Sequence, residues 1–127
     1  MSGVSETPVD SGVSGLLSDD VQVLPVAEVA AQLKVPVSRV HQLVRDGHLL
    51  SLRRDGGMVI PADFLDGAVV VKGLPGTVTV LRDGGFSDDD VLRWLFAEDD
   101  SLPGTPIAAL RSNRGREVKR RAQAMAF

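Results

Sequence analysis

The chain has no cysteine and no tyrosine, one tryptophan and four phenylalanines among its 127 residues. The missing cysteines exclude disulfides, thiolate zinc sites and a cysteine nucleophile, and suit a reducing compartment. With so few aromatics the core must be aliphatic, which a hydrophobic fraction of 43% can supply. No apolar run approaches the ~20 residues needed to span a bilayer. The N-terminus shows neither the basic start nor the apolar core of a secretion signal. No membrane association and a cytoplasmic location are therefore expected. The net charge of −3, taken alone, argues weakly against a nucleic-acid partner.

The distribution of that charge says more than its sum. Residues 1–28 hold five acids and no base. Lys34, Arg39, Arg45, Arg53 and Arg54 face a single acid, Asp46, a local charge of +4 over 34–54. Residues 82–100 return to −5, and residues 111–121 reach +5 with Arg111, Arg114, Arg116, Lys119, Arg120 and Arg121 against Glu117. Two basic islands stand in an acidic chain, and DNA responds to the local field.

The first island carries a helical pattern. Val26, Val29, Ala30 and Leu33 fall at i, i+3, i+4 and i+7, one face of a helix entered at Pro25 and ended at Pro36. A second helix, 37–46, starts near Val37 or Ser38, buries Val40, Leu43 and Val44, and stops at Gly47 in the left-handed region. Strand-like residues 49–54 and 58–60 flank Asp55-Gly56-Gly57, which supplies the positive-φ positions of a hairpin. Helix, tight turn, polar helix and basic hairpin form a winged helix-turn-helix.

This arrangement assigns roles to particular residues. Ser38, Arg39, His41, Gln42 and Arg45 occupy the outer face of the second helix and would enter the major groove. Arg39 suits guanine O6 and N7, and Gln42 suits adenine N6 and N7. Ser38 at the helix start suits a phosphate. His41 can donate to phosphate or base, and Arg45 suits a phosphate. In the wing, Arg53 and Arg54 point to opposite faces of the strand, so one of them should face DNA. Gly56 and Gly57 would let backbone approach a phosphate or the minor groove, or serve only the turn. Each residue has a plain alternative as a solvated surface group or edge-strand guard. The constellation is stronger than its members.

The second half reads as helical. Residues 74–81 mix signals, since Thr77-Val78-Thr79-Val80 favours strand while Leu74, Val78 and Leu81 fit a helix ended by Gly84-Gly85; the spacing favours helix. Val69–Val71 is a short strand or an extended connector. Ser87 before Asp88-Asp89-Asp90 is a helix start, with Val91, Leu92, Leu95 and Phe96 as its apolar face. Helix-start acids are a plainer account of those aspartates than a cation site. A loop over 99–104 precedes a helix begun at Thr105-Pro106. The last helix, 114–125, is basic, and either pairs with the acids of 83–100 or clamps DNA phosphates.

No catalytic or metal chemistry is legible. His41 and His48 are split by Gly47, nucleophile–base pairs are lacking, and Gly73-Leu74-Pro75-Gly76 has neither the lysine nor the spacing of a phosphate loop. No enzymatic activity, cofactor or metal is expected.

Residues 25–65, with "VAEVA", "LVRDGHL" and "RRDGG", resemble the winged helix-turn-helix of the excisionase and MerR-type class. Through "LRDGGFSDDDVLRWLF" and "REVKRRAQAMAF" the chain, over roughly residues 21–127, also resembles a group of actinobacterial winged-helix DNA-binding proteins with a small helical C-terminal domain. The resemblance implies DNA binding by helix 37–46 and the wing. It further suggests a tail modified by a Ser/Thr protein kinase, with Thr7 before Pro8 as the candidate position; the residues alone favour an unmodified tail. A phosphate there would add about −1.5 to −2 charge.

The expected fold is mainly α with a small β-hairpin. A disordered acidic tail over 1–20 precedes a winged helix-turn-helix over 21–68 and a compact helical subdomain over 69–127. The expected function is binding of double-stranded DNA as a transcriptional regulator or nucleoid-associated factor, with homodimerisation through the apolar C-terminal residues an open alternative to core packing there. The competing class is a protein-interaction adaptor using the acidic helical half.

Overall fold

The computed structural model describes residues 17–99, 102 and 104–126. Thr7 and most of the expected tail lie outside these residues. From Leu17 the chain is already packed, since that side chain is buried with the core.

The first element is a strand without counterpart in the sequence reading. β1 (Val23–Pro25) pairs antiparallel with the wing strand β3 (Gly57–Pro61), Leu24 opposite Ile60. Three residues are too few for a period, so the strand exists through its partner. β2 (Leu52–Arg54) lies on the other side of β3, and the sheet order is β1-β3-β2. Its hairpin closes through Asp55 (φ 55) and Gly56 (φ 81), the two left-handed residues of a type I′ turn. Gly57 is an ordinary strand residue paired with Arg54, which corrects the expectation of a third positive φ. The strand also begins later than expected: Leu49 and Leu50 are buried in the core ahead of it.

Helix α1 (Val26–Leu33) starts from Pro25, whose φ of −63 is already helical. Pro36 does not end it, as the sequence suggested. Lys34 turns left-handed at φ 63, and the amides of Lys34 and Val35 donate back to the carbonyls of Ala31 (3.3 Å) and Ala30 (3.0 Å). These two bonds are a Schellman stop. Pro36 instead holds the N-cap position of α2 (Val37–Arg45), with no side-chain cap. Helix α2 stops the same way at Gly47 (φ 80), where His48 N–H reaches the Leu43 carbonyl at 2.9 Å. Val29, Ala30, Val40 and Leu43 are buried between the helices, while Val44 is half-buried.

A lysine in the left-handed region carries strain of about 1–2 kcal/mol that glycine avoids, and glycine's extra unfolded-state entropy recovers about half of it. Lys34→Gly is therefore expected to raise stability by about 0.5–1 kcal/mol. Urea unfolding should show a higher midpoint at unchanged slope; a lower midpoint would refute the strain.

After the 3₁₀ turn Ala62–Phe64, β4 (Leu65–Asp66) and β5 (Val69–Val70) make a small hairpin. Then come α3 (Leu74–Asp83), α4 (Asp88–Leu95), α5 (Pro106–Arg111) and α6 (Gly115–Ala126). Residues 77–80 are helical despite their β-branching. Thr77 and Thr79 return their hydroxyl protons to the carbonyls of Gly73 (2.9 Å) and Pro75 (3.0 Å), while Leu74, Val78 and Leu81 are fully buried. Helix α4 begins with a capping box: Ser87 Oγ accepts from Asp90 N–H at 3.1 Å and Asp90 Oδ2 from Ser87 N–H.

Two glycines set how α3 and α6 lie. A Cβ on Gly73 would sit 3.7 Å from Gly115 Cα, and one on Gly84 would collide with Ala126. The helices therefore run side by side in the same direction, starts together and ends together. The winged module is packed on this unit. Phe64 meets Phe96 with ring centroids 5.7 Å apart. Arg111 donates to the carbonyls of Asp63 (3.0 Å) and Leu65 (2.7 Å). Gly47 abuts Val78 and Arg82, whose guanidinium is held by Asp88 through two bonds of 2.8 and 2.9 Å.

Candidate nucleic-acid interface

Helix α2 presents Ser38, Arg39, Gln42 and Arg45 to solvent, with His41 half-buried among them. Arg39 and Gln42, three apart and so on one face, are joined: Arg39 Nη1 donates to Gln42 Oε1 at 3.0 Å. The bond holds the guanidinium across the helix and leaves Gln42's amide N–H₂ free to donate. No acid lies in the first turn of α2, so the positive end of its dipole is uncompensated. Among the described residues, Lys34, Arg39, Arg45 and Arg53 enter no ion pair. Three arginines of the second half are occupied: Arg82 by Asp88, Arg93 by Asp90, Arg121 by Asp99.

The wing divides its two arginines as strand alternation requires. Arg53 is exposed opposite Met58. Arg54 turns inward and donates to the carbonyls of Val21 (3.0 Å) and Ser18 (3.2 Å), with its Nε buried and unpartnered. It straps the segment before β1 to the wing. Nothing crowds Gly56 or Gly57, so the tip backbone is open to an approaching surface.

Val37 is an exposed residue of α2 that sequence reasoning did not assign to the interface. At i, i+3 and i+7 with Val40 and Val44 it belongs to the inner face by spacing, yet it is 44% exposed. An exposed valine beside Ser38 is suited to a thymine methyl. No periodicity could have signalled this.

The second basic island is only partly neutralised. Arg121 pairs with Asp99 at 3.2 Å and Arg114 with Glu117 at 2.7 Å, both ion pairs, while Arg111 is spent on backbone carbonyls. Arg116, Lys119 and Arg120 are exposed and enter no ion pair among the described residues. The ion pair Arg121–Asp99 joins this helix to the acids of 83–100.

The division of labour between the wing arginines is testable. Arg54→Ala should lower stability by about 1–2 kcal/mol by orphaning two carbonyls. Arg53→Ala should leave thermal unfolding unchanged. Equal melting temperatures for the two variants would show that the strap contributes nothing.

A helix-turn-helix with an unpaired cationic outer face, flanked by a basic wing, defines a winged helix-turn-helix DNA-binding protein. Comparison with known proteins gives the family. The family model described as "DNA-binding protein Rv2175c, wHTH domain" covers residues 11–65. That described as "Rv2175c C-terminal domain of unknown function" covers residues 71–126. The chain belongs to this actinobacterial family. It is 45% identical over 125 residues to the DNA-binding protein Rv2175c of Mycobacterium tuberculosis, spanning 88% of this chain and 86% of that protein. The NMR structure of Rv2175c superposes with a TM-score of 0.80 at 44% identity, covering 87% of this chain and 85% of the other.

Proposed function

We propose that the chain is a transcriptional regulator that reads duplex DNA with α2 in the major groove and holds the adjacent backbone with the wing. Arg39 and Gln42 read bases as a joined pair, and Val37 contacts a thymine methyl. Ser38 and Arg45 take phosphates, with His41 beside them. Arg53 is the wing's contact, and Arg54 supports it from behind. The observation that carries the reading is the exposed set Lys34, Arg39, Arg45 and Arg53, free of ion pairs among the described residues in a chain of net charge −3. The adaptor alternative is weaker, because Asp88, Asp90 and Asp99 are already engaged with arginines of their own unit.

Phosphorylation of Thr7 belongs to this proposal. A phosphate would add about −1.5 to −2 charge to a stretch that already holds five acids and no base over residues 1–28, and would oppose DNA binding by like-charge repulsion. A fluorescence titration on mixed-sequence duplex across a salt series tests the core reading. Three phosphates neutralised by Lys34, Arg45 and Arg53 predict a log–log slope of about −3. No binding at low salt would sink it.

A further inference from the structure

The family model for the C-terminal unit assigns it no function. That unit holds a cleft of about 930 Å³ where the chain enters α3 and where α5 turns into α6. Its cationic lining is Lys72, Arg114, Arg116, Lys119 and Arg120, against one carboxylate, Glu117, which Arg114 already holds at 2.7 Å. Four cations remain there without an ion pair among the described residues. Lys72 is brought to the other three across more than 40 residues of sequence, so the convergence is a product of the fold. A concave wall focuses the field of such a set.

The backbone in the cleft has the same character. Gly73 and Gly76 line it from α3, and Gly115 from α6. A Cβ on Gly76 would meet nothing within 4 Å, so that stretch of backbone is open. Because α3 and α6 run in the same direction, their positive dipole ends meet here. The start of α4 is answered by Asp88, Asp89 and Asp90, whereas α3 has no acid in its first turn and no side-chain cap, and α6 has one, Glu117, which Arg114 holds. The Gly73–Gly76 stretch lacks the lysine position of a phosphate loop, but Lys72 immediately precedes it and the fold brings Lys119 to the same cleft.

We propose that this cleft is a second anion site that binds phosphate groups. Planar guanidinium forks from Arg116 and Arg120 match phosphate oxygens in pairs, lysines add point charge, and no acid is free to repel the ligand. The volume exceeds one phosphate, so the group belongs to a larger body, either the backbone of bound DNA or a free phosphorylated compound. The inference does not rest on α2.

The test uses the full chain, ¹⁵N-labelled, in phosphate-free buffer, titrated with inorganic pyrophosphate and separately with a short mixed-sequence duplex. The Gly76 and Gly115 amide signals are expected to shift and saturate with at least one probe. Sodium chloride at matched ionic strength should not reproduce the effect. The double variant Lys72→Ala/Arg116→Ala removes two exposed side chains and should keep its circular dichroism while weakening that binding about tenfold or more. Saturation with duplex, with the salt slope falling by about 2 in the variant, assigns the site to the DNA backbone. Saturation with pyrophosphate alone assigns it to a free phosphorylated compound. Shifts that follow ionic strength only, or that the double variant leaves intact, overturn the site. The Arg39→Ala/Arg45→Ala variant should retain pyrophosphate binding, so failure of the α2 reading and failure of the cleft are read separately.

Discussion

Replacing Phe64 by alanine is expected to lower stability by about 3–5 kcal/mol. The ring is fully buried on the 3₁₀ turn between the winged module and the helical unit, and it meets Phe96 at 5.7 Å. Truncation removes the transfer free energy of a phenyl group and leaves a cavity in a core otherwise built from aliphatic side chains. A domain of this size has about 5–15 kcal/mol in total, so the variant should be marginal at room temperature. Both units should be affected together, because Phe64 belongs to one and Phe96 to the other and their buried residues form a continuous cluster. Urea unfolding followed by Trp94 fluorescence, which reports the helical unit, and by far-ultraviolet dichroism, which reports both, should give coincident midpoints shifted down. A Trp94 midpoint unmoved by the substitution would mean that the units are energetically independent.

The second large effect concerns DNA. Arg39→Ala is expected to weaken binding to a selected site by about 1–3 kcal/mol and to relax preference at one base pair. A bidentate arginine contact to guanine discriminates bases, while a phosphate contact does not. The hydrogen bond from Arg39 to Gln42 adds a further expectation: the two side chains should be coupled. A double-mutant cycle with Gln42→Ala should then depart from additivity by about 0.5 kcal/mol or more. Selection from a randomised duplex pool, followed by titration of the winning site and single-base variants, measures both. If Arg39→Ala weakens every sequence alike, Arg39 touches phosphate and the base-reading role is wrong.

Local signals in the chain were readable wherever a structure is specified within about five residues. Gly47 announced the end of α2, Asp55-Gly56 the wing turn, and Ser87 with Asp90 the start of α4, because caps and turns depend on near neighbours and on φ. The same logic misplaced the end of α1: Pro36 is a strong breaker in general, but Lys34 had already turned left-handed two residues earlier, at a strain no propensity predicts. For residues 77–80, β-branching pointed one way and apolar spacing the other, and burial of Leu74, Val78 and Leu81 decided for helix.

By itself the sequence determined the helix-turn-helix, the hairpin tip and the polar outer face of α2, all features of short range. Tertiary structure alone decided which groups are free to act. It made Val23–Pro25 a strand by giving it β3, turned Arg54 onto the carbonyls of Ser18 and Val21 while leaving Arg53 outside, and left Val37 uncovered. It also placed Lys72 in one cleft with Arg116, Lys119 and Arg120. The reason is physical: hydrogen-bonded turns are settled by adjacent residues, whereas exposure and charge pairing depend on what a distant segment brings into contact.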